Sequence, residues 1–467
     1  MQQLTEPDYR QIILRRDPRY DGRLYFGVKT TKIYCRPVCP ARPKFENIVV
    51  YRSASAAEKA GCRPCLRCRP DLAPGNKFID PGGNLVAKAL RLIEESESEP
   101  LSIETIAASL RISARHLRRV FDKQLGASPV EILQSRRLHH ARQLLLETGE
   151  SISDIAFAAG FSSVRRFNES FKSCYRTTPS ALRTAKGNIK NSGGPITLSL
   201  MVRKPYNFSD ILAFFKRHCV QGIEKVDTDS YQRYVPKKQT YAKLHVTINK
   251  KQNCLLITLD GFKPAQFYPE LLKIRRLFDV DHNPSHLPLS IDDAQAGVRI
   301  PGAYDSFEVT ISIILGQLIS IEQATKKLAV LIQQFGSVLD EELKIYRFPE
   351  PATLLNAEIE KIGITRTKAI AIRSIAAMVQ DKTLTFSHSA DLAKTREKLL
   401  SIKGIGPWTT EMIMMRCFGD ADASPASDLI IKRGLEQNLV DERLWKTNRS
   451  YMTHYIWNKY AKTLSKR

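Results

Sequence analysis

The chain of 467 residues is 43% hydrophobic and 26% charged, enough apolar material for several packed cores and too much for a disordered polymer. At roughly 100–200 residues per domain, this length predicts three or four domains. Lysine and arginine outnumber aspartate and glutamate by 72 to 48, a formal charge of +24; such a field draws in polyanions, so nucleic acid is the first partner to expect.

No stretch approaches the ~18 apolar residues of a membrane span, and the opening MQQLTEPDYRQIILRRDPRY lacks a signal peptide's apolar core. A cytoplasmic protein without a membrane partner is expected. Residues 1–80 are dense in arginine, proline and cysteine. Nine cysteines is an odd number and five lie between Cys35 and Cys68, which in a reducing compartment favours metal binding over disulfides. Cys35-Arg-Pro-Val-Cys39 and Cys65-Leu-Arg-Cys68 are two ligand pairs separated by 25 residues, a spacing suited to one Zn2+ on four thiolates. The bland alternative is a closed site that only staples a small core, and Cys62, evenly spaced with Cys65 and Cys68, competes as a ligand.

The surrounding residues, Ile33-Tyr34-Cys35-Arg36-Pro37-Val38-Cys39-Pro40 and Arg63-Pro64-Cys65-Leu66-Arg67-Cys68-Arg69-Pro70-Asp71, resemble the N-terminal zinc domain of the Ada family over about residues 8–75. The resemblance implies that Cys35 irreversibly accepts a methyl group from a DNA methylphosphotriester, with Cys39, Cys65 and Cys68 completing the zinc site. Four thiolates on one zinc carry a net formal charge of minus two. Alkylating one leaves minus one, which weakens repulsion from DNA phosphates. Lys29, Arg36, Arg42 and Arg67 are candidates for holding the backbone, against the alternative of a solvated basic face.

After Pro81-Gly82-Gly83-Asn84 a helical pattern runs to about Arg183, and residues 84–183 read as one domain. It contains a repeat. Ser102-Ile103-x-x-Ile106-Ala107 matches Ser151-Ile152-x-x-Ile155-Ala156, and Leu117-x-x-x-Phe121 with Ser128-Pro129 matches Phe167-x-x-x-Phe171 with Thr178-Pro179. Each copy predicts a short helix, a turn and a second helix, so two units joined by a helix could enter major-groove segments about 34 Å apart. The pattern, with Gly160-Phe161, resembles the AraC-type transcription activator domain. By that resemblance the recognition helices lie near Ser113–Gln124 and Ser162–Phe171, exposing Arg115, His116, Arg118 and Arg119, then Ser163, Arg165, Arg166 and Asn168, for base or phosphate contact. An ordinary helical bundle is the alternative. His139 and His140 read as surface or interhelix residues rather than ligands.

Residues 184–195 read as a linker, residues 196–300 alternate as strands with a helix or two, and from Tyr304 helical periodicity dominates. Leu400-Ser401-Ile402-Lys403-Gly404-Ile405-Gly406-Pro407-Trp408 predicts a helix, a glycine turn and a helix. There backbone N–H groups can approach a phosphate, and a monovalent cation could sit on the carbonyls. Pro425-Ala426-Ser427-Asp428 then opens the apolar helix Leu429-Ile430-Ile431-Lys432. This arrangement, with Ile300-Pro301-Gly302, Ile314-Leu315-Gly316-Gln317-Leu318 and Arg449-Ser450-Tyr451 to Trp457, resembles the helix-hairpin-helix DNA glycosylases of the AlkA type from about Ile196 to Trp457.

The resemblance implies that Asp428 is the catalytic carboxylate and that Trp408 and Trp457 line the base pocket, with Met412 replacing a family aromatic. It also implies that Lys403, Gly404 and Gly406 hold DNA, while Leu318, with Gln317 beside it, fills the gap left by a flipped nucleotide. Read without it, Asp428 is a helix N-cap, and Trp408, Trp457 and Phe214 are core; Phe214 is carried as a pocket candidate beside its core reading. Asp420 and Asp422 are the fallback carboxylates.

The fold class expected is multidomain α+β: a small zinc domain (1–80), an all-α double helix-turn-helix domain (84–183), a small α/β domain (196–300) and an all-α helix-hairpin-helix domain (301–467). The function expected is methyl capture by Cys35 that turns the second domain into an activator, joined to hydrolytic release of alkylated purines such as 3-methyladenine. No Pro-Cys-His-Arg motif of the O6-alkylguanine methyltransferases occurs. The implied partners are alkylated DNA, promoter DNA and RNA polymerase, in a nucleoid-associated monomer. Two alternatives stay open: a regulator whose second half binds lesions without cleaving, and a glycosylase whose first half only anchors it.

Overall fold

In a computed structural model the described residues are 5–75, 85–95, 102–187, 193–283, 297–387, 389–437 and 448–464. The expected boundary at 81–84 lies outside them, as do residues 188–192 of the expected linker. The chain forms two compact units: Met1–Lys204 with Asn249–Leu272 and Val280–Ser285, and Pro205–Ile248 with Lys273–Asp279 and His286–Arg467. Among the described residues no helix is long and apolar enough to cross a membrane.

The first unit opens with helix α1 (Glu6–Arg15) and strands β1 (Tyr25–Val28), β2 (Ile33–Cys35) and β3 (Ile48–Tyr51), then α2 (Ala54–Lys59) and β4 (Arg63–Pro64). The sheet order is β3-β1-β2-β4, antiparallel except for the parallel pair β2 and β4. That parallel pairing puts Cys35, the last residue of β2, beside Cys65, the residue after β4; the Cys65 amide donates to the Tyr34 carbonyl at 2.9 Å.

Helices α3 (Leu85–Glu95), α4 (Ile103–Ser109), α5 (Ala114–Leu125), α6 (Pro129–Glu147), α7 (Ile152–Ala158), α8 (Val164–Tyr175) and α9 (Pro179–Lys186) follow. The repeated serines are N-caps: Ser102 Oγ accepts from the Thr105 amide and Ser151 Oγ from the Asp154 amide, both at 3.0 Å. Ser128-Pro129 and Thr178-Pro179 start α6 and α9, with a cap followed by proline where a missing N–H is tolerated. Ile106, Leu117 and Phe121 are buried in the first copy, and Ile155, Ala159, Phe167 and Phe171 in the second. Helix α9 runs through Thr184, Ala185 and Lys186, so the expected linker begins as helix.

Helix α6 joins three parts of this unit. Asp71, its side chain wholly buried, pairs with Arg69 at 2.8 Å and with Arg142. Glu147 accepts from Arg69 Nη1 at 3.1 Å and from the Ser199 amide at 2.9 Å. Ser199 lies on β5 (Ile196–Met201), which pairs antiparallel with β9 (Cys254–Asp260).

In the second unit, α10 (Phe208–Arg217) precedes the antiparallel meander β6 (Glu224–Val226), β7 (Ser230–Pro236) and β8 (Tyr241–Asn249). After α11 (Pro264–Leu277), whose residues up to Leu272 belong to the first unit, come α12 (Ser306–Leu315) and α13 (Ile321–Phe335), then a hairpin of β10 (Ser337–Asp340) and β11 (Ile345–Arg347) that interrupts the expected helical run. Helices α14 (Pro351–Asn356), α15 (Arg366–Gln380), α16 (Leu392–Leu400), α17 (Pro407–Cys417), α18 (Leu429–Glu436) and α19 (Arg449–Leu464) complete it. Gly302 sits so close to the Arg276 carbonyl that a Cβ would meet its oxygen at 2.4 Å, which accounts for the glycine in Ile300-Pro301-Gly302.

Candidate functional site

The four sulfurs of Cys35, Cys39, Cys65 and Cys68 lie within 4.8 Å of one another. The set fits a Zn2+ ion: four thiols on two strand ends and two tight turns, with soft ligands in tetrahedral number. Hydrogen bonding between them pushes the Cys35 thiol up and the Cys39 thiol down to about 7. Cys62 stands apart, with Tyr51 Oη at 3.9 Å from its sulfur, in a separate cluster with Tyr25 and Tyr34.

Arg36 departs from expectation. It is 4% exposed, its Nε donates to Asp21 Oδ1 at 2.7 Å, its Nη2 pairs with Asp21 Oδ2, and its Nη1 donates to the Cys68 carbonyl at 3.1 Å. The side chain braces the sulfur loops and offers no face to a phosphate. Its amide points at Cys68 Sγ, 3.5 Å away. Lys29, Arg42 and Arg67 are exposed. Arg115, Arg118, Arg119, Arg165 and Arg166 are exposed on α5 and α8; Arg118 pairs with Glu104 at 3.3 Å and Arg165 with Glu169 at 3.0 Å. Such exposed pairs are worth under about 1 kcal/mol and open readily for a polyanion. His139 contacts Glu58 at 3.0 Å and Tyr34 Oη at 3.1 Å, and His140 is buried against Tyr268, so both are interhelix residues.

In the second unit, α16, the turn through Gly404 and α17 form the hairpin. Gly404 has φ +93° and a Cβ there would meet the Thr367 carbonyl oxygen at 3.0 Å, whereas Gly406 faces open space. Only glycine satisfies the first position, and the second leaves the amides approachable. Gly404→Ala is expected to cost about 1–3 kcal/mol of stability by strain, read as a lowered denaturation midpoint; an unchanged midpoint would contradict the close approach. Lys403 is exposed beside it.

Gln317 does not project from the surface: its Nε2 donates to the Gly404 carbonyl at 2.9 Å and to Thr409 Oγ1 at 2.8 Å, tying its loop to the hairpin. The neighbouring Leu318 is fully exposed with φ 59°. A bare apolar side chain in a strained conformation is an outlier that packing alone does not require.

Asp428 caps α18. Its Oδ1 accepts from the amides of Ile430 at 2.9 Å and Ile431 at 3.1 Å, and from Trp457 Nε1 at 3.3 Å, while Oδ2 makes no hydrogen bond among the described residues. The fallback carboxylates are committed elsewhere: Asp420 pairs with Arg396, and Asp422 with Arg449 at 2.8 Å.

Trp457 meets His454 edge to face at 5.0 Å, and His454 meets Phe214 at 5.5 Å. Phe214 stacks on His218 at 4.2 Å and carries the Arg416 guanidinium at 4.9 Å. Phe214 is therefore both buried and part of this aromatic group. Trp408 (half-buried), Met412 and Arg416 follow at four-residue spacing along one face of α17. Burial pushes His218 down to about 4 and His454 down to about 3, so both rings are neutral. Sequence reading misses His218, His454 and Arg416, because no spacing links residues brought together from α10, α17 and α19.

Three family models match: the metal binding domain of Ada over residues 8–71, a helix-turn-helix domain over residues 106–185 and the AlkA N-terminal domain over residues 197–305. A protein of Mycobacterium tuberculosis described as a probable bifunctional transcriptional activator/DNA repair enzyme AlkA is 32% identical over 96% of this chain and 95% of its own length. The Escherichia coli Ada protein, a bifunctional transcriptional activator/DNA repair enzyme, is 38% identical over 34% of this chain and 43% of its own. The E. coli DNA-3-methyladenine glycosylase 2 is 28% identical over 54% of this chain and 94% of its own.

Proposed function

The chain belongs to the family of bifunctional transcriptional activator/DNA repair proteins that joins Ada-type and AlkA-type modules, and we propose that both of its sites act on alkylated DNA. In the first, the Cys35 sulfur attacks the methyl carbon of a DNA methylphosphotriester. An S–C bond forms as the C–O bond breaks, and the electron pair stays on the phosphate oxygen, restoring a diester. Zinc bound by Cys35, Cys39, Cys65 and Cys68 keeps the sulfurs deprotonated near neutral pH. Lys29, Arg42 and Arg67 hold the backbone, and α5 and α8 take promoter DNA, where the less negative, methylated domain supports activation through RNA polymerase.

In the second site, Leu318 fills the space of a flipped nucleotide, the hairpin amides at Gly404 to Gly406 hold its phosphate, and the base enters among Trp408, Met412, Phe214 and Trp457. The C1′–N bond breaks with its electrons leaving on the alkylated purine. Asp428 Oδ2 stabilises the cationic sugar and orients the attacking water. The position that carries a Schiff-base lysine in related lyases is Trp408 here, so the product is an abasic site.

What carries this reading is the second oxygen of Asp428, without a hydrogen bond among the described residues, beside the Trp457 indole, in a chain whose other end gathers four sulfurs. The experiment is to incubate the protein with methylated DNA and measure released bases, zinc content and the mass of the Cys35 peptide. Released 3-methyladenine, one zinc and one added methyl are expected, with no borohydride-trapped adduct. An unmethylated Cys35 peptide, or a trapped adduct, overturns the corresponding half.

A further inference from the structure

Lys368 stands where a lysine is unfavourable twice over. It is 8% exposed, and burying an ammonium is costly unless something answers its charge. It also lies in the first turn of α15, where its amide donates to the Thr365 cap at 3.3 Å and the positive end of the helix dipole opposes a cation. No carboxylate pairs with it among the described residues. What it meets is the end of another helix: Nζ donates to the Leu315 carbonyl at 2.8 Å.

Leu315 is the last residue of α12. Of the carbonyls that a helix leaves open at its end, Ser312 is closed by the Gly316 amide at 3.0 Å and Ile314 by the Gln317 amide at 3.3 Å. Lys368 supplies the donor for Leu315 from outside, and its charge sits at the negative end of α12. Three residues on stands the exposed Leu318. The segment 316–320 is thus tied on both sides of Leu318: at α12 by Lys368, at the hairpin by Gln317, and at α13 by Ser320, whose Oγ accepts from the Gln323 amide at 3.2 Å. The residue before Lys368 bears on the hairpin itself, since the Thr367 carbonyl is what a Cβ on Gly404 would meet. Adjacent residues of one helical turn therefore fix the glycine turn and the loop that carries Leu318 relative to each other.

We propose that Lys368 is a positioning residue for nucleotide flipping: its ammonium anchors the end of α12, so that Leu318 is presented to the duplex at a set distance from the Gly404 turn. The inference rests on the reading of Leu318 as the residue that fills the flipped nucleotide's space. A misplacement of about 1 Å costs on the order of a hundredfold in rate.

The test uses the full chain and a duplex carrying one mispaired 2-aminopurine, whose fluorescence rises as the base leaves the stack, read per bound duplex at saturating protein. The second readout is kcat against KM for release of 3-methyladenine. Lys368→Met is expected to lose most of the fluorescence rise and to lower kcat by about tenfold to a hundredfold while KM stays within about twofold. Lys368→Arg, which keeps the charge and a donor, is expected to recover most of both. A variant that merely folds less well would lower the bound fraction and leave the fluorescence per bound duplex unchanged. Should Lys368→Met fail to fold, Lys368→Gln takes its place. Leu318→Ala is the comparison. If it loses the fluorescence rise while Lys368→Met keeps the wild-type rise and kcat, the role of Lys368 alone is overturned. If Leu318→Ala keeps the rise, the reading of Leu318 falls and the role of Lys368 with it.

Discussion

Replacing Cys35 by alanine is expected to abolish methyl uptake from DNA methylphosphotriesters, with no added mass on any cysteine peptide. The reason lies in the backbone as much as in the sulfur. Cys35 ends β2 and Cys65 follows β4, so the parallel pairing of these strands fixes the sulfurs relative to one another. Arg36 then seals the base of the cluster through Asp21 and the Cys68 carbonyl. Cys35 is 3% exposed, and in the proposed reading it is DNA held on the exposed Lys29, Arg42 and Arg67 that brings the methyl group to it. The variant should also lose any methylation-dependent rise in promoter affinity, since the step from a net charge of minus two to minus one no longer occurs. Intact methyl uptake by Cys35→Ala, with the mass found on Cys39, Cys65 or Cys68, would reassign the acceptor.

The parts of this molecule that were legible in its sequence are those written in local pattern. Cysteine spacing announces the sulfur cluster, because ligand pairs on short turns need few intervening residues. Ser128-Pro129 and Thr178-Pro179 announce helix starts, because a cap and a fixed φ act within one turn. Gly404 announces the hairpin, because no other residue fits there. What stayed hidden depends on distant residues meeting. Arg36 reads as a surface cation until Asp21 is found beside it. Gln317 reads as part of a DNA-facing loop until the Gly404 carbonyl and Thr409 claim its amide. His454 reaches Phe214 only through tertiary packing, and Glu147 shows its role only when Arg69 and Ser199 converge on it.

Asp428→Asn is expected to reduce 3-methyladenine release by about 10²–10³-fold or more, while DNA binding and thermal stability stay close to wild type. The substitution separates the two readings of this residue. Asparagine is as good an N-cap as aspartate, and its Oδ1 can still accept from the amides of Ile430 and Ile431 and from Trp457 Nε1, the three bonds that Asp428 Oδ1 makes. The helix start and the indole are therefore preserved. What disappears is the negative charge on the second oxygen, the one free of hydrogen bonds among the described residues, replaced by an amide that donates where a carboxylate would stabilise a cationic sugar. Asp428→Ala makes the comparison complete, since it loses both functions and should add a stability loss of about 0.5–2 kcal/mol to the loss of release. Neither Asp420 nor Asp422 can substitute, each being bound to an arginine. If Asp428→Asn releases 3-methyladenine at the wild-type rate, the residue is a cap and nothing more, and the catalytic carboxylate must be sought elsewhere.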